Sequence, residues 1–309
     1  MSFTFTTQTA NTASYYLNKH NILLAESLQR LASGNRLIHS GVDPGGLAVA
    51  SKLNANISRI GAAKTNVASG VSLLQTQDAA LESASDILTQ MVTLKTSHDG
   101  ALTSADQAAY NTEFQQLRQQ LHAFTNGTFN GISLFAGSNS ATFGQTVLPA
   151  NQLSIYTSEE GAAGGSIDLE KAAFVSALNV RGTSQAGTMV DTSYNVEENL
   201  ASATVDSNGN ASLGAFGSGD LYNAISNIGS LRAVNGGSQN ALGFASTLLA
   251  KKSTALTGAV DNITSVDIAA ETATQTSLNI LIQSATAAVA QANIQASTTL
   301  TLLGSLTRF

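Results

Sequence analysis

The stretch LNANISRIGAAKTNVASGVSLLQTQDAALESASDILTQMV, residues 53–92, decides the fold. Leu53, Ile57, Ile60, Val67, Val71, Leu74, Leu81, Leu88 and Val92 fall on one alternating four-three lattice, interrupted only by Lys64, Asp78 and Ser85. That spacing places the apolar side chains on one helical face, and its seven-residue period is that of a coiled-coil seam. It predicts a helix over residues 46–97, about 75–80 Å long at ~1.5 Å per residue. Such a rod cannot bury its stripe against itself, so it needs long partners.

The chain supplies them. Tyr110, Phe114, Leu117, Leu121 and Phe124 continue the four-three pattern and predict a helix over 104–125, with HDGALTSAD (98–106) as the preceding turn and Ser104 as the N-cap. Leu221, Ile228, Leu242, Leu249, Leu256 and Ile263 share one seven-residue grid, Asn235 being the exception, and predict a helix over 219–262. Leu17, Leu24, Leu28, Leu31 and Ile38 predict a helix over 12–33, stopped by Gly34 and Asn35. Asp43, Pro44, Gly45 and Gly46 form the turn before the long helix. Pro44 lacks an amide hydrogen and disfavours helical geometry at Asp43, while the two glycines loosen the backbone.

The C-terminal segment repeats the pattern at Leu278, Ile282, Ala285, Val289, Ala292 and Ala296. From Thr272 to Thr307 it contains no Asp, Glu, Lys, Arg or His. It is too rich in Gln, Asn, Ser and Thr for a lipid-facing span, which needs about 20 predominantly apolar residues. The first charged side chain from the other end is Lys19, and nothing before it has the basic start and apolar run of a cleaved secretory signal. Both ends of the chain are therefore neutral.

Charged residues make up only 11% of the chain, against about 25% in typical domains. The net charge of −6 argues against nucleic acid as a partner. There is no cysteine, which excludes disulfides, thiolate metal sites and a Cys nucleophile. Residues 137–220 hold nine acids and two bases, so the acidic surface belongs to the middle and the helical remainder is near neutral. That middle is rich in Gly, Ser, Thr and Asn, and VDSNGNAS (205–212) carries a hairpin signal. His20, His39, His98 and His122 form no His-Glu-x-x-His motif, and GAAGG (161–165) is not followed by Gly-Lys-Ser/Thr. We therefore expect no enzyme, cofactor or metal site. The expected fold is mainly α: a long antiparallel coiled-coil bundle built from the N- and C-terminal parts, with a small β-rich middle region.

The order of these parts resembles bacterial flagellin. SLQRLASGNRLIHSGVDPGGLAVASKLNANI (27–57) is similar to that family's Ser-x-x-Arg-Leu-Ser-Ser-Gly-x-Arg-Ile pattern, followed by an Asp-containing turn and a long helix. VASGVSLLQTQDAALES (67–83), TFNGISLF (128–135) and DIAAETATQTSLNILIQSATAAVAQAN (267–293) resemble further family segments in the same order. The resemblance covers about 10–135 and 220–303. It implies a structural subunit that polymerises with itself into the extracellular flagellar filament for swimming motility. Residues 1–40 and 265–309 would pair as inner-tube helices, with Leu24, Leu28, Leu31, Leu278, Ile282, Val289, Gln291, Ala292 and Asn293 as assembly residues. Residues 41–135 and 219–264 would form the coiled-coil domain, and 136–218 would face outward. It further implies type III export without a cleaved signal peptide, and an export chaperone, a filament cap and hook-associated proteins as partners. Neutral helices suit a narrow tube, where stacked identical charges would repel and burial would add a desolvation cost.

The sequence departs from the family where many members carry Arg-Glu-Leu, for here Val92, Thr93 and Leu94 stand instead. In the family that region contributes to filament contacts and to detection by an animal innate-immune receptor, so weak detection is expected; Glu113 is a loose match to another residue of the patch. The alternative reading is the hook–filament junction protein, which shares this terminal architecture. A membrane-inserting translocator is the third, and the polarity of the C-terminal run disfavours it.

Overall fold

Pro44 opens the longest helix and does not break it. The computed structural model describes residues 2–136, 151–178, 200 and 213–306. Its elements in order are α1 (Ser2–Ser33), α2 (Pro44–Asp99), α3 (Ser104–Thr125), β1 (Thr128–Phe129), β2 (Ile132–Ser133), β3 (Gln152–Tyr156), β4 (Ser166–Glu170), α4 (Phe174–Ala177), α5 (Ser218–Thr264) and α6 (Ile268–Leu306). The Asp43 carboxylate accepts the Gly46 amide at 2.8 Å, and its carbonyl accepts the Leu47 amide at 3.0 Å. Asp43 is thus an N-cap with proline at the first helical position, where no amide hydrogen is needed. The glycines expected to loosen this turn lie inside the first turn of α2. Thr103, not Ser104, caps α3: its hydroxyl accepts the Asp106 amide at 3.1 Å and donates to the Asp106 carboxylate at 2.7 Å.

The residues form two compact units, Met1–Ile57 with Thr254–Phe309, and Ser58–Ser253. In the second unit the buried row of α2 runs Ile60, Ala63, Val67, Gly70, Leu74, Gln77, Leu81, Ala84, Leu88, Met91, Lys95. Ile60, Val67, Leu74, Leu81 and Leu88 are the large residues of the sequence lattice. Their companions differ. The spacing had offered Lys64, Val71, Asp78, Ser85 and Val92, yet the structure buries the residue one position earlier in each case. Val71 and Val92 are half-buried. Asp78 instead takes a paired salt bridge from Arg232 at 3.0 and 3.3 Å, beside Glu82 at 3.3 Å.

Small residues in that row admit neighbours. A Cβ on Gly70 would lie 3.1 Å from Leu242 and 3.2 Å from Ile155, so glycine lets the β3–β4 hairpin approach α2 and α5. That hairpin pairs antiparallel from Gln152–Glu170 to Tyr156–Ser166. Glu159 in its loop accepts a hydrogen bond from Lys252 of α5, which holds its carboxyl below the ordinary carboxylate range. Phe114 and Leu121 of α3 are fully buried and Leu117 half-buried, and Phe114 packs 5.7 Å from Phe216, ring centre to ring centre. Arg118 is 1% exposed, with its guanidinium 5.9 Å from the centre of the Phe216 ring. The Asn-Gly hairpin expected at 205–212 lies outside the described residues.

On α5 the grid residues Leu221, Ile228, Leu242 and Leu249 are buried, and so is Asn235. Asn235 is a polar grid member and not a gap in the grid. Its amide donates to the Leu74 carbonyl at 3.0 Å and to Gln77 Oε1 at 2.8 Å. Gln77 in turn donates to the Leu134 carbonyl at 2.7 Å, and Gln239 donates to Asn235 Oδ1 at 2.7 Å. A single satisfied polar layer of this kind fixes the register of two helices, because any slip strands the amides.

Two stability changes follow. Leu74→Asp places an unpaired carboxylate at a site 1% exposed and should cost on the order of 3 kcal/mol or more; a cooperative melt at the parent temperature would refute that placement. Asn235→Ala should cost ~1–3 kcal/mol by stranding Gln77 and Gln239, read as a lower denaturant midpoint at unchanged slope.

Candidate assembly surface

The first unit is organised by α1 lying along α6. Gly34, at φ +68°, ends α1 in the left-handed conformation that glycine adopts without strain. The chain then pairs briefly with the α5–α6 connection. The Arg36 amide donates to the Thr264 carbonyl at 2.8 Å, the Val266 amide to the Gly34 carbonyl at 3.1 Å, and Arg36 Nε to the Ile263 carbonyl at 2.5 Å. Asp267 caps α6, its carboxylate accepting the amides of Ala269 at 2.9 Å and Ala270 at 3.1 Å. Beyond this junction Arg30 and Glu271 join α1 to α6 at 3.0 Å, both largely buried. That pair closes the charged end of the seam, and the remainder of α6 carries no charge.

The α6 side of the seam runs Leu278, Ile282, Ala285, Val289, Ala292, Ala296, with Leu278 and Ala292 buried and the rest half-buried. Leu17, Leu24 and Leu31 are half-buried on the α1 side. Leu28 is not with them; it is 46% exposed, and Ser27 takes the seam position at 0%. Ser27 is small enough for close approach, and its hydroxyl finds no partner among the described residues. Leu53, Ile57, Leu256 and Ile263 also fall in this unit and are half-buried.

Both helices keep apolar side chains for a surface the chain does not cover. On α1 these are Tyr15, Tyr16, Ile22 and Leu28; on α6 they include Ile280, Leu281, Ile294, Leu300 and Leu302, at 43–61% exposure. Gln291 and Asn293 are exposed beside them. The hydroxyls along α6 make few demands on their surroundings. Thr272, Thr274, Thr276, Ser284, Thr286, Thr298, Thr299 and Thr301 each donate to a carbonyl three or four residues back, at 2.7–3.0 Å. What α6 presents outward is alkyl groups, amides and internally bonded hydroxyls. No described helix is long and apolar enough to cross a membrane. The α6 face, exposed, apolar in part and without charge after Glu271, marks a protein–protein contact.

Two family models match the chain. That for the bacterial flagellin N-terminal helical region covers residues 5–140, and that for the bacterial flagellin C-terminal helical region covers 220–303. The chain belongs to the bacterial flagellin family. The flagellin of Listeria innocua is 32% identical over 90% of this chain and 91% of its own length. The flagellar filament 30.7 kDa core protein of Treponema maltophilum is 26% identical over 95% and 98%. The solved flagellin of Bacillus cereus superposes at a TM-score of 0.41 over 60% of this chain and 88% of its own, with 24% identity, too loosely to add to that assignment. Both flagellin terminal regions are present, with the acidic middle of the sequence between them.

Ala292→Glu in this flagellin puts a charge into the α1–α6 seam with no cation on the charge-free stretch of α6 to meet it. Amide exchange in α1 and α6 should accelerate at least tenfold while α3 keeps its protection; unchanged exchange in α1 would place Ala292 outside the seam.

Proposed function

We infer that this chain is a structural subunit of the bacterial flagellar filament, assembling with copies of itself into an extracellular polymer for swimming. One observation carries the reading: in a chain with both flagellin terminal regions, α1 and α6 pair through a neutral seam and leave apolar side chains uncovered. Polymerisation buries those side chains. The family's structural role and the names of the relatives, flagellin and filament core protein, favour this over the hook–filament junction protein.

The finer parts of the reading are also our proposal. The α1–α6 pair lines the inner tube of the filament, and the acidic middle faces outward. The chain leaves the cell through the flagellar export channel without a cleaved signal, assisted by an export chaperone, and adds beneath a filament cap on a base of hook-associated proteins. Neutrality supports the tube placement, since identical subunits stacked around a narrow channel would bring like charges together. With Val92, Thr93 and Leu94 in place of Arg-Glu-Leu, detection by the animal receptor is weak.

Electron microscopy after salt-induced polymerisation tests this. The intact chain should give long tubular filaments, and a sample trimmed by brief proteolysis of α1 and α6 should give none. An intact chain that stays monomeric and only extends hook ends would make it the junction protein.

A further inference from the structure

The β3–β4 hairpin of the second unit has a free edge. The Lys171 amide donates to the Asn151 carbonyl at 2.9 Å at one end of the ladder, and the Thr157 amide to the Gly165 carbonyl at 2.9 Å at the other. Between them the register is continuous from Gln152–Glu170 to Tyr156–Ser166, and in an antiparallel pair the hydrogen-bonded positions recur at every second residue. Asn151, Leu153, Ile155 and Thr157 therefore turn their amides and carbonyls toward β4, while Gln152, Ser154 and Tyr156 turn theirs away from it. Among the described residues β3 has no second strand neighbour, and no backbone bond takes the outward groups of Ser154 and Tyr156. The Ser154 hydroxyl is engaged elsewhere, 2.5 Å from Asp168 Oδ1.

A cavity of about 260 Å³ borders that edge. β3 gives it four consecutive residues, 153–156, and β4 gives none. Successive side chains point to opposite faces of a strand, so a wall built from consecutive residues is a strand seen along its edge. The remaining wall includes Phe129 and Ile132 of the β1–β2 hairpin and Ser69 and Leu73 of α2, and no lining residue is charged.

We propose that this edge and cavity are a docking site for an extended, uncharged segment of another protein, which adds to β3 as a third strand and seats an apolar side chain against Leu73, Phe129 and Ile132. The chemistry of the occupant follows from the site. The outward groups of Ser154 and Tyr156 lie two residues apart, the repeat at which an extended backbone bonds its neighbour. A charged side chain would lose its water in this cavity and gain no partner. The volume falls below the ~300–1,000 Å³ of pockets that enclose a whole small molecule, so the cavity holds one part of something longer. A second copy of this chain does not supply the segment, because its described strands are already paired in hairpins and its other elements are helices. The site is independent of the filament reading.

Full-length, isotope-labelled protein, kept monomeric at low salt, is titrated with a capped pentapeptide of alternating Thr and Val, and with the same peptide N-methylated at every residue. At millimolar concentration the plain peptide should shift the amide resonances of Ser154 and Tyr156 and slow their exchange at least fivefold. The N-methylated peptide keeps the side chains but has no amide hydrogen to give, and should shift neither. Ser154→Pro removes one outward amide and leaves the β4 ladder its bonds; Ser69→Trp, at an exposed position of α2, obstructs the cavity. Each should weaken binding at least tenfold. Equal binding of both peptides would show an apolar pocket without strand addition and overturn the proposal, as would no shift with the plain peptide or parent affinity in the Ser69→Trp variant. Shifts at Ser154 and Tyr156 that grow with protein concentration alone would assign the edge to a second copy and overturn it as well.

Discussion

A helix of 56 residues has nowhere within itself to hide an apolar stripe. That constraint governs the rest of the molecule. Burying the stripe of α2 requires α5, of 47 residues, and the shorter α3 with its hairpins. The same necessity acts on α1 and α6, but there the solution is partial: each covers one side of the other and leaves apolar groups outside. The chain therefore contains one unit whose core is closed by its own helices and one whose burial is incomplete in a single copy. The difference between them is where a monomer ends and a polymer begins.

The long helices were legible in the sequence because seven-residue periodicity survives over many turns, but α1 begins at Ser2, ten residues before the expected start, and the short α4 was not expected. The large grid residues Leu74, Leu81, Leu88, Leu242 and Leu249 stand out and are buried. Their companions were not legible, for one physical reason that recurs. In α2 the buried companions are Ala63, Gly70, Gln77 and Ala84, and in α1 the buried companion is Ser27. Small or polar residues give no hydrophobic signal, yet close helix approach selects them. Pattern reading slides to the neighbouring Val71 or Leu28, which the fold leaves partly in solvent, whereas Val92 gives way to the apolar Met91. Asn235 was hidden in the same way, since its partner Gln77 lay off the expected lattice.

The assembly surface was legible mainly as an absence. The lack of charge from Thr272 to Thr307 marked the segment. The polar residues of these helices are also less polar than their letters imply. Ser and Thr hydroxyls bonded to the preceding turn present mostly a methyl or methylene outward, so a Thr-rich helix can serve an apolar contact without leaving a donor unmet.

The bond between Arg30 and Glu271 joins residues 241 positions apart. A chain delivered one end first, from a ribosome or through a narrow conduit, has α1 present long before α6. Nothing else in the sequence offers α1 so long a neutral partner, so the first unit must wait for α6 to emerge. Its high contact order makes its formation late relative to the second unit, and the arrival of α6 becomes the condition for its stickiest surface to take shape.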